Sequence, residues 1–149
     1  MYFRSEFEKL KTGLDESKVR KLQLDFVIRL IDKLNEKMID DEELVRLFEN
    51  LLRTAVDYSE GREPNLRYYR KQKNDITNYV LKKYSLAYKG YYTAVYMSLG
   101  LVFGAALGTV FMTTLNPGFY ALGIGPGIAL GVAIGAGKEA SMEKQGNIY

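Results

Sequence analysis

The sequence contains neither cysteine nor histidine. Their absence excludes disulfide bonds, metal sites built on thiolate or imidazole, and cysteine nucleophiles. The serines have no histidine to act as a base. No phosphate-binding loop of the form GxxxxGK[ST] occurs, and the fragment GAGK at 135–138 is followed by glutamate. We therefore expect no enzyme activity, no cofactor, no metal ion and no small-molecule substrate.

Charge is also missing from one long stretch of the chain. Residues 90–137 carry none, whereas residues 1–61 hold 11 basic and 14 acidic side chains and residues 62–89 hold 8 basic and 2 acidic ones. The N-terminus lacks the basic start and apolar run of a signal peptide, so we expect the first part of the chain to stay in the cytoplasm.

The 48 uncharged residues are about twice the ~20 that one bilayer crossing needs. An Asn-Pro-Gly sequence in their middle is a strong turn signal. We predict a transmembrane helical hairpin over 91–137, with spans at 91–114 and 119–137 and a turn at 115–118. The alternative, a buried hairpin in a soluble protein, would need a polar side on each helix, and neither helix has one.

Proline and the flanking charges refine this hairpin. Pro126 either kinks a continuous second helix or begins it, and the glycine pattern around it favours the continuous helix. Lysines precede the first span and follow the second, while the turn has none. The positive-inside rule then places both termini in the cytoplasm and the turn outside.

Glycines recur at every fourth position in both predicted spans, which puts each row along one side of its helix. In lipid, close backbone contact is a main source of attraction between helices, and glycine permits it. We predict that these rows pack against each other or against another subunit. They comprise Gly100, Gly104 and Gly108 in the first helix, and Gly123, Gly127, Gly131 and Gly135 in the second.

The stretch GIGPGIALGVAIGAGKEASMEKQG, with its glycine row and short Lys/Glu tail, resembles the C-terminal end of small bacterial glycine-zipper membrane proteins. The resemblance covers residues 91 to about 146. It implies a two-span protein of the bacterial inner membrane and brings no catalytic residues with it. Some proteins with similar glycine rows oligomerise or perturb membranes.

Residues 1–62 predict a cytoplasmic helical bundle. Apolar residues from Val19 to Met38 follow one helical period after the N-cap candidate Asp15. A second helix begins at Asp40, where Glu43 completes a capping-box pattern, and ends near Ser59. The acidic residues there are typical of a helix's first turn and match no calcium loop. The candidate partner-binding residues on this second helix are Leu44, Phe48 and Leu51.

Residues 63–90 predict a basic, tyrosine-rich juxtamembrane helix that Asn65 caps and that either ends near Gly90 or continues into the membrane. Its cations either bind anionic lipid head groups or only set topology and solubility. No recognition motif accompanies them, so we expect no nucleic-acid partner. The candidate head-group residues are Arg70, Lys71, Lys73, Lys82, Lys83 and Lys89.

The sequence thus predicts an all-α protein: a small cytoplasmic helical bundle, a transmembrane hairpin and a short cytoplasmic tail at 138–149. The expected function is that of a membrane-anchored interaction or scaffold protein, whose partners are the lipid bilayer and a cytoplasmic protein. The alternative is a homo-oligomer that forms a channel or permeabilises the membrane. The absence of charge within the spans argues against an ion-selective pathway.

Overall fold

A computed structural model describes residues 3–62, 65–114 and 121–149. Over these residues the regular elements are seven helices, together with one isolated bridge between Ala87 and Ile148. The predicted all-α class is confirmed for this part of the chain. The helices are α1 Phe3–Thr12, α2 Glu16–Leu22, α3 Leu24–Glu36, α4 Glu42–Ser59, α5 Leu66–Tyr84, α6 Tyr91–Thr114 and α7 Ala121–Lys144.

The chain divides into two compact units. Met1–Tyr84, with Tyr149, forms the first, which we call the helical unit, and Ser85–Ile148 forms the second, the hairpin unit. The predicted juxtamembrane segment 63–90 is therefore shared between them. Its helix, α5, packs with α4 in the helical unit, and its last six residues belong to the hairpin unit.

The prediction of one helix from Val19 to Met38 is wrong, because Gln23 interrupts it. Gln23 has φ 52°, ψ 44°, and this left-handed residue ends α2 and begins α3. The change of direction buries both Leu22 and Leu24. The Tyr69 hydroxyl on α5 donates a hydrogen bond of 2.8 Å to the carbonyl oxygen of Leu22 and satisfies that acceptor.

Short polar side chains cap the N-termini of α2, α4 and α5. Asp15 accepts a hydrogen bond from the backbone N–H of Lys18, and Asn65 accepts one from Tyr68, as the sequence predicts. The prediction that α4 starts at Asp40 is one residue too early. Asp41 is the N-cap, and its Oδ1 accepts from the N–H of Glu43 at 3.0 Å.

The core of the helical unit consists of apolar side chains from all five of its helices. In α1, α3, α4 and α5 the buried residues recur mainly at spacings of three, four or seven, which gives each of these helices one buried side, and α2 contributes Leu22. The fully buried large side chains are Phe7, Leu22, Leu24, Leu30, Ile31, Leu34, Leu44, Phe48, Leu51, Tyr69 and Ile76.

The hairpin unit contains two 24-residue helices that run antiparallel, α6 and α7. Helix α7 is continuous through Pro126 and extends to Lys144, seven residues beyond the predicted span. The helix does not continue from α5 into α6, and Gly90, just before α6, has φ 89°. The predicted turn 115–118 lies outside the described residues.

Among the residues that the structure describes, one helix is long and apolar enough to cross a membrane. It covers Tyr91–Val110 in α6, with a mean hydropathy of 1.6, and little of it is buried. The second span remains a prediction from the sequence.

Candidate functional site

The interface between α6 and α7 is built from glycine backbones. A Cβ placed on Gly127 would lie 2.7 Å from Gly104 Cα and would also meet the carbonyl oxygen of Gly100. A Cβ on Gly104 would lie 2.6 Å from Gly123 O, and one on Gly123 would lie 2.6 Å from Gly108 Cα. Real Cβ atoms are not found this close to backbone atoms, so only glycine fits these positions.

The same close approach continues towards the start of α6. A Cβ on Gly131 would lie 3.0 Å from Met97 Cα, and one on Gly135 would lie 2.6 Å from Thr93 Cα. The seven glycines of the two predicted rows therefore all lie where α6 meets α7 within one chain.

Two further glycines of α7 behave differently. A Cβ placed on Gly125 or Gly137 would have no heavy atom of another element within 4 Å. Both residues are exposed and lie off the main row. Twelve residues separate them, which puts them about 120° apart around the helix, so each position is open to close approach by something other than α6.

Glu139 on α7 caps the N-terminus of α6. Its Oε2 accepts a hydrogen bond of 2.8 Å from Thr93 Oγ1, and its Oε1 accepts one from the backbone N–H of Gly90. Burial would raise the pKa of Glu139, but these hydrogen bonds, with help from Lys89, lower it below its ordinary value. The carboxylate satisfies donors that α6 itself cannot pair. No local pattern in the sequence indicates this contact, because Glu139 and Thr93 are 46 residues apart.

Away from this interface, the hairpin unit exposes large apolar side chains on both helices. Residues 90–137 carry no charge, so the two helices have no charged side within this stretch, and the charged residues of α7 follow it, from Lys138 to Lys144. An apolar groove of about 610 Å³ also lies along the α6–α7 pair, and five of the row glycines are among the residues that line it: Gly100, Gly104, Gly123, Gly127 and Gly131. The exposed residues are Val95, Met97, Leu99, Leu101, Val102, Phe103, Leu107, Val110, Leu130, Val132 and Ile134.

In the helical unit, Asp41 joins the start of α4 to the end of α5. Its side chain is 7% exposed, and its Oδ2 accepts hydrogen bonds from Tyr79 Oη at 2.9 Å, Lys83 Nζ at 2.9 Å and Tyr84 Oη. The Tyr84 hydroxyl contributes most to a pKa of Asp41 far below its ordinary value. Burial opposes this shift, and the bonds from Lys83, Tyr79 and the Glu43 N–H add to it. The Asp41 carboxylate therefore links α4 to α5 through its hydrogen bonds and its charge.

The candidate partner-binding residues Leu44, Phe48 and Leu51 are in the core. They are 0%, 0% and 1% exposed, and Phe48 stacks on Phe3 with ring centroids 5.7 Å apart. The apolar stripe of α4 is turned inward, so placing these three on a free surface was wrong.

A different surface of the helical unit is open. A groove of about 1070 Å³ runs along the outer side of α4 next to the end of α3. The most exposed of its apolar residues is Met38, at 91%. The groove is lined by the apolar residues Phe3, Met38, Ile39, Val45, Leu52 and Val56 and by the charged residues Asp40, Glu49, Arg53, Asp57 and Arg62.

The candidate head-group residues separate into two groups. Lys83 is held by Asp41 and Tyr79, and Lys73 donates to Gln23 Oε1 and lies 5.0 Å from the Phe26 ring centroid. Burial, followed by repulsion from Arg70, lowers the pKa of Lys73. The remaining candidates, Arg70, Lys71, Lys82 and Lys89, are exposed.

Comparison of the chain with protein-family models, with curated proteins and with solved structures finds no match. The function of the chain is therefore inferred from its residues and their geometry.

Proposed function

We propose that this chain is a non-catalytic membrane-anchored interaction protein, in which the hairpin unit is the anchor and the helical unit binds a protein partner. The observation that carries the proposal is the combination found in the hairpin unit. Its helices meet through glycine backbones, and their outer sides expose large apolar residues.

Each half of this combination is unfavourable in water. Glycine within a helix costs about 1 kcal/mol relative to alanine, and a large exposed apolar surface is rare on a soluble monomer. Lipid removes the cost of the exposed apolar surface. It also makes close backbone packing a main source of helix association. A bilayer around α6 and α7 accounts for both features.

The positive-inside rule supports an orientation with both termini in the cytoplasm, and the resemblance to glycine-zipper proteins supports the bacterial inner membrane. Helix α7 would be the second span, crossing back from the turn at 115–118. Its charged end, Lys138 to Lys144, would leave the membrane on the same side as the start of α6.

The groove along α4 supports the second part of the proposal. It is lined by apolar residues and rimmed by charges of both signs, as expected for a surface that binds an amphipathic segment. It replaces Leu44, Phe48 and Leu51 as the candidate partner surface, because those residues lie in the core.

Membrane integration is tested on the full chain, which has no cysteine of its own. One variant carries a cysteine at Asn116, in the predicted turn, and a matched variant carries one at Ser141, in the tail. After expression in bacteria, a membrane-impermeant maleimide should label Asn116→Cys in intact spheroplasts and Ser141→Cys only after lysis. Extraction of the chain by alkaline carbonate, or equal labelling at both sites, would contradict the proposal.

An oligomeric, membrane-permeabilising function is the second candidate, and the open glycines Gly125 and Gly137 favour it. Because the two main rows are occupied within the chain, an oligomer would assemble through positions of α7 outside its row, such as Gly125. Native mass spectrometry of the detergent-solubilised chain distinguishes the candidates. A ring of defined size that is lost on Gly125→Leu supports the pore, whereas a monomer supports the anchor.

A further inference from the structure

One side of α5 carries four basic side chains that the helical unit does not use. Arg67, Arg70, Lys71 and Lys82 are exposed, and within the described residues none of them forms an ion pair. The only acidic residue on α5 is Asp75, which is also exposed. We call these four cations the basic face of α5.

Helix geometry places these residues together. Tyr69, Ile76 and Val80 are the buried residues of α5 and mark its inward side. With about 3.6 residues per turn, the four cations lie on the opposite side, in a row about 22 Å long at a rise of ~1.5 Å per residue. Lys73 and Lys83 project next to the buried side, where Gln23 and Asp41 hold them.

We infer that the basic face of α5 binds the anionic lipid surface of the membrane that holds the hairpin unit, an inference that rests on the proposed function. Only six residues, Ser85–Gly90, connect α5 to α6. A membrane that contains α6 therefore keeps α5 within reach of its surface. Exposed cations beside a negatively charged leaflet are attracted to it, and the attraction falls with ionic strength.

This inference changes the set of candidate head-group residues taken from the sequence. Arg67, which the sequence pattern did not single out, joins Arg70, Lys71 and Lys82. Lys73 and Lys83 leave the set because Gln23 and Asp41 hold them, and Lys89 lies outside α5, in the hairpin unit. The lipid contact is therefore expected to be sensitive to the first four residues and insensitive to Lys73 and Lys83, as long as the unit stays folded.

The experiment uses the full chain with a single cysteine at Asn78, an exposed, uncharged position within the basic face. The cysteine carries a fluorophore, and the chain is reconstituted in nanodiscs of phosphatidylcholine alone or mixed with phosphatidylglycerol. Both discs contain a lipid with a nitroxide in its head group. We expect roughly twofold stronger quenching in the phosphatidylglycerol discs and loss of this difference at high salt.

Two charge-matched variants provide the control. The variant R67Q/R70Q/K71Q/K82Q should lose the lipid-dependent quenching. The variant R20Q/K21Q/R29Q/K37Q removes the same charge from exposed positions outside α5 and should retain it. Far-UV circular dichroism checks that both variants keep their helices.

The outcomes are distinct. Equal quenching in the two kinds of disc, or equal loss in both variants, would overturn the lipid contact while leaving the anchor intact. If the chain enters neither kind of disc, the proposed function fails and this inference fails with it.

Discussion

The two nearby glycines Gly127 and Gly125 allow a matched test of the α6–α7 interface by substitution with alanine. In Gly127→Ala the new Cβ would lie 2.7 Å from Gly104 Cα and 3.0 Å from Gly104 N. Carbon atoms in contact prefer about 3.5–4.0 Å, so the helices must separate by roughly 1 Å. In Gly125→Ala the Cβ enters open space, and no separation is needed.

Two contributions of opposite sign decide how each substitution changes the stability of the hairpin. Forcing a methyl group into a packed site costs about 1–3 kcal/mol, partly offset by alanine's advantage of up to about 1 kcal/mol within a helix. We therefore expect Gly127→Ala to destabilise the hairpin by about 1–2 kcal/mol. Gly125→Ala should leave it unchanged or stabilise it by up to about 1 kcal/mol.

The assay combines a distance with a stability. Spin labels are attached to cysteines at Val95 and Ile134, which are exposed on α6 and α7. Double electron–electron resonance between the labels then reports the separation of the two helices. A denaturing-detergent titration of the same reconstituted chain gives the midpoint of unfolding. Gly127→Ala should lengthen the distance and lower the midpoint, and Gly125→Ala should do neither. Equal effects in both variants would refute the packing argument, since both make the same chemical change.

Three further predictions concern single side chains. Asp41→Asn should destabilise the helical unit by about 2–4 kcal/mol, because a buried carboxylate that accepts four hydrogen bonds is lost. Since the pKa of Asp41 is lowered on folding, the protection of amides in α4 and α5 of the parent chain, relative to their intrinsic exchange rates, should fall as the pH drops below about 4, and Asp41→Asn should lack this component. Glu139→Gln should weaken the cap of α6 by about 1–2 kcal/mol, seen as faster amide exchange at Gly90 and Thr93; unchanged exchange there would rule out the cap. Met38→Gly should stabilise the helical unit by about 0.5–1 kcal/mol in denaturant titration, because Met38 follows the end of α3 with φ 51°, a conformation that favours glycine; a loss of stability would argue against this backbone explanation.

Short-range patterns in the sequence predict much of the local structure. Asp15 and Asn65 are predictable as caps because a short polar side chain just before a helix can accept a hydrogen bond from its first turn, and in the structure each accepts one from the N–H three residues ahead. Helix α6 occupies the predicted range 91–114, because an Asn-Pro-Gly turn signal divides the long uncharged run just after it. Spacing alone also places the glycines of each row on one side of a helix, and here both rows lie at the α6–α7 interface.

Contacts between distant residues were not predictable in this way. Glutamine does not favour positive φ, so no local sequence pattern predicts that the helix is interrupted at Gln23. That conformation is compatible with the tertiary bond from Tyr69 to Leu22. The apolar spacing of α4 identified a buried side but could not say whether it met this chain or a partner. Phe3 and the other helices of the unit cover Phe48, which shows that this side meets the chain itself.

The cap that Glu139 places on α6 has a consequence for the order of assembly during synthesis. The amides of Gly90 and Thr93 leave the ribosome 49 and 46 residues before the carboxylate that accepts their hydrogen bonds. Until α7 is made and has returned to the same side, α6 has a polar end without its acceptor. The two helices are therefore expected to reach their final state as a pair, with the first awaiting the last turns of the second.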